Sequence, residues 1–225
     1  MDSIKYTPTL REKLLTAGPS SLSDTELLAI LISSGSRKKS CLHLAIELIK
    51  KMGDLRAILN CSYQDFSQVN GVGLVRYAQL QAVKEICRRS DLISLQKDIK
   101  INNSQQSFAF LKRQLRDLRH ETFAAIFLDN QHRVLAFEQI FKGTINAATV
   151  FIRPIIDRVL NLNAAAVILA HNHPSGVCDP SKQDVLVTKK IQQALDLMEV
   201  RLLDHVIIGD NEVYSILNSQ KWACV

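Results

Sequence analysis

The stretch that most constrains the fold is residues 164–184, where an apolar run leads into a loop rich in histidine and proline. The run, residues 164–170, contains no polar side chain, which predicts a buried strand. His171 and His173 follow it, and alternate residues of an extended chain point to the same side. The two imidazoles therefore project together from the end of the strand, at a spacing that allows both to bind one metal ion.

The end of this stretch predicts a third metal ligand. Pro174, Gly176 and Pro180 exclude regular structure, so the chain must form a loop there. Ser181 has the character of a helix N-cap, and Asp184 then lies in the first turn, on the face that carries the later apolar residues of the predicted helix. Together with the two histidine nitrogens, its carboxylate oxygen would complete three ligands and leave a fourth position for water, as in catalytic zinc sites.

Each of these features also has an ordinary explanation. Ser-x-x-Asp is a common helix-capping signal, and an isolated His-x-His pair is more often incidental than metal-binding. A zinc deaminase would need His-x-Glu followed by Pro-Cys-x-x-Cys, but Asn172 stands where that glutamate would be, and the chain contains no Cys-x-x-Cys. It is the combination of strand, loop and helix that favours a metal site.

The spacing of these residues resembles a known motif. His-x-His, seven residues, Ser, two residues and Asp match the JAMM motif of MPN-type zinc metallopeptidases. Longer segments resemble the bacterial RadC family over nearly the whole chain: GTIN at 143–146, NAAAVILAHNHPSG at 163–176 and LLDHVIIGD at 202–210. The resemblance implies a metallopeptidase-type hydrolase that acts on peptide or isopeptide bonds of a protein or peptide substrate. It also implies one Zn²⁺ per chain, held by His171, His173 and Asp184.

A zinc hydrolase also needs a general base beside the bound water. The residues alone leave Glu121, Glu138 and Asp157 open. Glu138 lies on a predicted strand, where alternation places it on one face with apolar side chains: Val134, Ala136 and Ile140. The resemblance implies Glu138, taken as the counterpart of the JAMM catalytic glutamate on a strand upstream of the histidines. It further implies that Ser181 donates a hydrogen bond to the developing oxyanion.

Residues 104–225 alternate between strand and helix patterns. Strands are predicted at 122–128, 133–141, 164–170, 200–208 and 213–216, and helices at 104–116, at 154–161 and from 181 onwards. The prediction is an α/β (α+β) domain with a mixed β-sheet flanked by helices, which agrees with the MPN/JAB-like fold and cytidine-deaminase-like layering that the resemblance implies. His205, on one of these strands, is expected to be a hydrogen-bonded core histidine and not a fourth ligand.

Residues 1–90 predict a small helical domain. A capping box at Ser23 begins one helix, Gly53 ends another, and a long helix runs from about residue 74 to residue 89. The turn before the long helix resembles a helix-hairpin-helix and consists of Gly71, Val72 and Gly73, with Arg76 nearby. Backbone N–H groups in such a turn can hold a phosphate, which makes DNA a candidate partner. The alternative is an ordinary connection that uses glycine for its positive φ.

Composition places the chain among soluble globular proteins, with 47% hydrophobic and 22% charged residues. The apolar runs are too short for a membrane span and no signal-peptide pattern opens the sequence, so no membrane partner is expected. Five scattered cysteines favour a reducing, cytoplasmic location over a disulfide framework. Residues 1–103 carry 15 Lys and Arg against 10 Asp and Glu, a modest excess that is compatible with nucleic acid.

Two functions follow from this organisation. Residues 91–103 have no clear period and are predicted to be a linker between a helical domain, 1–90, and a catalytic domain, 104–225. The complete ligand set and a buried Glu138 favour a zinc metallopeptidase, with or without an association with DNA. The Gly-Val-Gly turn favours the alternative, a DNA repair or recombination accessory protein that binds DNA through its N-terminal domain and has a structural or vestigial metal site.

Overall fold

The computed structural model describes residues 8–35, 39–96, 101, 103–143 and 152–223. The chain divides into two compact units, Met1–Cys87 and Arg88–Val225. The first is helical and the second combines helices with a mixed sheet, so the chain has the α/β class that its sequence predicts. None of the described helices combines the length and the apolar character that a membrane span requires.

The first unit is built from short helices around an apolar core. Its helices are α1 (Leu10–Ala17), α2 (Asp24–Ile32), α3 (Cys41–Met52), α4 (Leu55–Asn60), α5 (Tyr63–Phe66) and the start of α6 (Leu74–Gln96), with a 3₁₀ turn at Pro19–Ser21. The core consists of buried side chains from most of these helices, among them Leu28, Leu44, Leu48, Ile58, Phe66 and Leu80. The predicted capping box is present, because the Glu26 N–H donates to Ser23 Oγ (3.3 Å) and the Ser23 N–H donates to Glu26 Oε2 (2.8 Å).

Helix α6 is longer than its sequence pattern indicates. It continues to Gln96, so residues 91–96 of the predicted linker are helical. The physical reason is that no glycine or proline lies between Leu74 and Gln96, and most residues there are good helix formers that need no periodic apolar face. Residues 97–100 and 102 of the predicted linker lie outside the described residues.

Arg76 holds the beginning of α6 against the segment that follows α2. Its guanidinium donates to the backbone oxygens of Gly71 (2.7 Å), Ser34 (2.8 Å) and Gly35 (3.0 Å). Gly71 itself has φ +103, a left-handed conformation that glycine adopts without steric cost. The arginine therefore has a structural role within the helical unit.

Replacing this guanidinium should weaken the first unit. In Arg76→Met three backbone oxygens lose a charged donor, and we expect the free energy of unfolding to fall by about 1–2 kcal/mol. Differential scanning calorimetry of the full chain would detect this as a lower transition temperature. The control is Lys50→Met, which also removes one positive charge but at an exposed position of α3. It should leave the transition temperature unchanged. Equal transitions for the two variants would contradict this role of Arg76.

The second unit contains a six-stranded sheet in the order β2-β1-β3-β4-β5-β6. The strands are β1 (Thr122–Leu128), β2 (Val134–Lys142), β3 (Ala166–Asn172), β4 (Arg201–Ile208), β5 (Glu212–Ser215) and β6 (Gln220–Ala223). The β3–β4 pair is parallel and the other pairs are antiparallel. Helix α7 (Ser104–Leu115) covers one face, whereas α8 (Ile152–Leu162) and α9 (Lys182–Asp196) cover the other. The short polar strand β6 has no counterpart in the sequence prediction.

A β-bulge in β4 determines which side chains face α9. Val167 of β3 pairs with Leu202 of β4, but the next residue, Ile168, pairs with Asp204, so Leu203 is the extra residue. Beyond the bulge, His205 pairs with Leu169. Paired residues share a face, and Leu169 belongs to the core cluster beneath α8 and α9. The bulge thus brings His205 to the face on which His171 also lies, while Asp204 points to the other face.

Candidate metal centre

The two histidines of the motif meet at the carboxyl end of β3, as predicted. His171 is wholly buried and stacks on Phe123, with ring planes 9° apart and centroids separated by 6.2 Å. His173 follows the last residue of the strand, and its side chain is 20% exposed. The Nε2 atoms of the two rings are 3.0 Å apart. One imidazole is therefore fixed in the core, and the other lies at the solvent boundary.

Asp184 approaches the histidines from the first turn of α9. The helix begins with a capping box in which Asp184 Oδ2 accepts hydrogen bonds from the N–H (2.7 Å) and the hydroxyl (2.6 Å) of Ser181. The other oxygen, Oδ1, lies 3.4 Å from His171 Nε2. The cap therefore engages one carboxylate oxygen and leaves the other directed at the imidazole.

A fourth residue, Glu121, belongs to the same cluster. Its carboxylate and the ligand atoms of His171, His173 and Asp184 all lie within 4.8 Å of one another. Register explains its position: Phe123 pairs with His171, and Glu121, two residues earlier, is on the same side of the chain. On sequence alone, Glu121 is one of three candidates for the general base, with Glu138 and Asp157.

Asn172, between the two histidines, fixes the segment that carries Glu121. Its side chain points away from the cluster and is wholly buried. Its Oδ1 accepts from the N–H of Thr122 (2.8 Å), and its Nδ2 donates to the backbone oxygens of Leu118 (3.1 Å) and His120 (3.3 Å). One side chain therefore binds the backbone on both sides of Glu121. The middle residue of the motif has a role that its sequence context did not reveal.

Glu138, the general base that the resemblance implies, does not belong to the cluster. It lies on β2 opposite Ala125, two strands away from β3. Its carboxylate accepts two hydrogen bonds from Arg158 of α8, one of them 2.8 Å long, and its side chain is 32% exposed. Glu138 shares its face with Ala136 and Ile140, as predicted, but not with Val134, which a bulge in β2 places in the opposite core cluster. The ion pair with Arg158 explains why a carboxylate is stable on this side of the sheet.

The other sequence-based assignments have the following positions. Asp157 is exposed on α8 and is not part of the cluster. Ser181 is the N-cap of α9, and its hydroxyl proton is donated to Asp184, so its role toward an oxyanion stays a prediction.

In the helical unit, Val72 is buried and Arg76 has backbone partners. DNA contact through Gly71, Val72, Gly73 and Arg76 also stays a prediction.

The loop between the histidines and α9 is held on the β4–β5 turn. Asp210 donates its backbone N–H to the Gly176 oxygen (2.9 Å), and Lys221 of β6 forms an ion pair with Asp179 (2.7 Å). Gly176 has φ +82, and a Cβ at this position would lie 2.6 Å from Asp210 Oδ2. A glycine is required here because the loop and the turn approach so closely.

The donor set fits a divalent metal ion of the zinc type. His173 Nδ1 is 2.8 Å from the Val177 backbone oxygen, which can only accept, so Nδ1 has the proton and Nε2 has the lone pair. His171 Nε2 lies 3.0 Å from His173 Nε2 and 3.4 Å from Asp184 Oδ1, and His173 Nε2 lies 3.8 Å from the other oxygen, Asp184 Oδ2. A tetrahedral zinc ion with bonds of about 2.0–2.1 Å requires ligand separations of about 3.3 Å. The separations that involve His171 Nε2 are therefore close to those that one shared ion requires.

The electrostatics keep His171 in the form that binds metal. The pKa of His171 is lowered to about 4, mainly by burial; the nearby Asp184 carboxylate opposes the shift, and the positive charge that His173 can take up adds to it. An imidazole with this pKa is neutral at physiological pH. Its nitrogen is therefore available to a metal without prior loss of a proton.

The fold and this cluster define a JAB-type domain with a candidate metal centre: a helix-flanked mixed sheet whose central strand ends in His-x-His, with a carboxylate from the following helix. Comparison with known proteins agrees, because a family described as "RadC-like JAB domain" matches residues 101–222 and one described as "UPF0758 N-terminal" matches residues 4–78. The chain belongs to the RadC-like UPF0758 family.

Similar proteins cover nearly the full length of this chain. A UPF0758 protein of Legionella pneumophila strain Lens is 65% identical over 215 residues, which are 96% of this chain and 95% of the relative. A UPF0758 protein of Ectopseudomonas mendocina is 49% identical over 206 residues, 92% of each chain. These names state a family and no activity, so the chemistry must be inferred from the site.

The buried imidazole predicts a pH-dependent stability of the metal-free protein. His171 has a folded pKa of about 4 against an ordinary value of 6.5, so the unfolded chain takes up a proton below pH 6.5 and the folded chain does not. The free energy of unfolding should fall between pH 6.5 and pH 4, by about 3 kcal/mol from this group. Urea titrations of chelator-treated protein would measure the slope. His171→Asn should flatten it, and parallel curves would contradict the assignment.

Proposed function

We propose that this protein is a zinc-dependent hydrolase of peptide or isopeptide bonds, with His171, His173 and Asp184 as the metal ligands and Glu121 as the general base. The observation that carries the proposal is the cluster of four side chains whose ligand atoms lie within 4.8 Å of one another. The match to a JAB domain supports the same chemistry. The partial exposure of His173 gives a substrate access to one side of the cluster.

Each residue of the cluster has a defined task in this proposal. A bound zinc ion would lower the pKa of a water molecule and polarise the substrate carbonyl. The two neutral imidazoles and Asp184 Oδ1 hold the ion, and the Ser181 cap keeps Asp184 in its rotamer. Glu121 accepts a proton from the water molecule while the oxygen of that water attacks the carbonyl carbon. It then donates that proton to the amine nitrogen as the carbon–nitrogen bond breaks.

The position of Glu121 favours a base over a fourth ligand. Three protein ligands with one open position are the usual arrangement of catalytic zinc, whereas four close the site. Glu121 comes from a different element than the three ligands, and Asn172 holds its backbone on both sides. Its carboxylate lies within 4.8 Å of the ligand atoms, close enough to exchange a proton with a water molecule that the ion would hold. The experiments below distinguish the two roles.

The metal content gives the first test. Purified protein reconstituted with zinc should contain about one ion per chain, and His171→Ala or Asp184→Ala should lose most of it because each removes one of three ligands. Inductively coupled plasma mass spectrometry after gel filtration measures the ratio. His43→Ala, which removes an exposed histidine from α3, is the matched control and should keep its zinc. A zinc-free wild type after reconstitution would exclude the proposed centre.

Two isosteric substitutions separate the candidate bases. Glu121→Gln should retain zinc and lose about 10²–10⁴-fold in hydrolysis, because the amide keeps the size of the side chain but cannot accept a proton. Glu138→Gln breaks only the pair with Arg158 and should retain both zinc and activity. Rates would be measured on a library of peptides and isopeptide-linked peptides. Loss of zinc in Glu121→Gln would make Glu121 a ligand, and loss of activity in Glu138→Gln alone would restore the sequence-based assignment.

A further inference from the structure

A chain of hydrogen bonds continues from the metal cluster into the core. His205, wholly buried on β4, places Nε2 at 2.9 Å from His171 Nδ1 and Nδ1 at 2.5 Å from Thr188 Oγ1. Thr188 Oγ1 lies 2.6 Å from the backbone oxygen of Asp184. His205 is thus the hydrogen-bonded core histidine that the sequence predicted. The chain also connects two of the three ligands, one on β3 and one on α9.

The backbone carbonyl of Asp184, at the end of this chain, determines the direction of every hydrogen bond in it. The Asp184 carbonyl can only accept, so Thr188 must donate its single hydroxyl proton to it. The Thr188 oxygen then accepts from Nδ1–H of His205. Neither ring contact of His205 is a carboxylate, and a charged imidazole would be costly to bury there, so the ring is neutral and Nε2 is an acceptor. His171 must therefore donate from Nδ1–H.

We propose that Thr188 and His205 are positioning residues that fix the ring tautomer of His171, so that its Nε2 presents a lone pair to the metal before the metal binds. This inference rests on the proposed metal centre. An imidazole with its proton on Nε2 would direct an N–H at the ion and could not bind it. The relay excludes that tautomer because His205 Nε2 is an acceptor and needs a donor opposite it.

The relay also restricts the orientation of the ring. Phe123 stacks on His171, with planes 9° apart, and meets His205 in an edge contact with centroids 5.3 Å apart. A ring flip of His171 would break the bond to His205 and leave a buried nitrogen without a partner. The same hydrogen bond thus selects the tautomer and opposes rotation. For comparison, His173 obtains its tautomer from a single backbone oxygen, that of Val177.

The first experiment observes the tautomer directly and needs neither metal nor substrate. In chelator-treated wild type labelled with ¹⁵N-histidine, the ring nitrogen shifts at neutral pH should show a pyrrole-type Nδ1 and a pyridine-type Nε2 for His171. In Thr188→Val the relay loses its hydroxyl at nearly constant volume, and the two nitrogen signals of His171 should move toward values averaged between the tautomers. A pyridine-type Nδ1 of His171 in wild type would overturn the proposal.

The second experiment measures zinc affinity by competition with a chromophoric chelator. Thr188→Val and His205→Gln should bind zinc about 10–100-fold more weakly than wild type, as loss of an outer hydrogen-bond partner usually does. Thr188→Ser keeps the hydroxyl and should recover most of the affinity. A purely structural role of Thr188 would instead lower the thermal midpoint of the metal-free protein and leave the zinc affinity of the folded protein unchanged.

These outcomes separate the relay from the proposed function. A wild type that binds no zinc contradicts the proposed metal centre. If the wild type binds zinc and the Thr188→Val and His205→Gln variants bind it with the same affinity, the relay is contradicted but the metal centre is not. Should either substitution prevent folding, Thr188→Ser and the tautomer of the wild-type ring still decide the question. A serine variant that is as weak as the valine variant would also count against the relay.

Discussion

The pairing of β3 with both of its neighbours is the constraint on which the site depends. Every residue of β3 is buried, and the strand pairs antiparallel with β1 and parallel with β4. The first pairing places Phe123 opposite His171 and so directs Glu121 to the cluster. The second places His205 on the face of His171. The single buried strand β3 thus aligns His171, the candidate base Glu121 and His205, which lies behind His171.

Each of the three candidate ligands has one polar atom left for a metal because its other polar atom is already engaged. Within the cluster, His171 Nδ1 meets His205, His173 Nδ1 meets a backbone oxygen, and Asp184 Oδ2 accepts two bonds from Ser181. These contacts hold the three side chains in place without an ion. Such preorganisation reduces the entropy that binding of a metal would otherwise cost. The helix cap of α9 is at the same time a part of the candidate metal centre.

Local patterns predicted most of the fold and the convergence of His171, His173 and Asp184. The apolar run, the loop breakers and the N-cap lie within 21 consecutive residues, 164–184, so their geometry follows from strand and helix periodicity alone. Glu121 and Glu138 could not be separated in this way, since their positions depend on the register between strands far apart in sequence and on the partner Arg158. Strand β6, with only four largely polar residues, has no periodic signal of its own.

The bulge at Leu203 gives β4 one residue more than the stretch of β3 with which it pairs. Leu202 lies opposite Val167, and Asp204 lies opposite the next residue, Ile168, so Leu203 has no partner of its own in the ladder. Deleting Leu203 alone would restore a regular ladder in which Asp204 and His205 keep their partners on β3 and therefore their faces. This point of β4 can thus lose one residue while the imidazole of His205 stays behind His171.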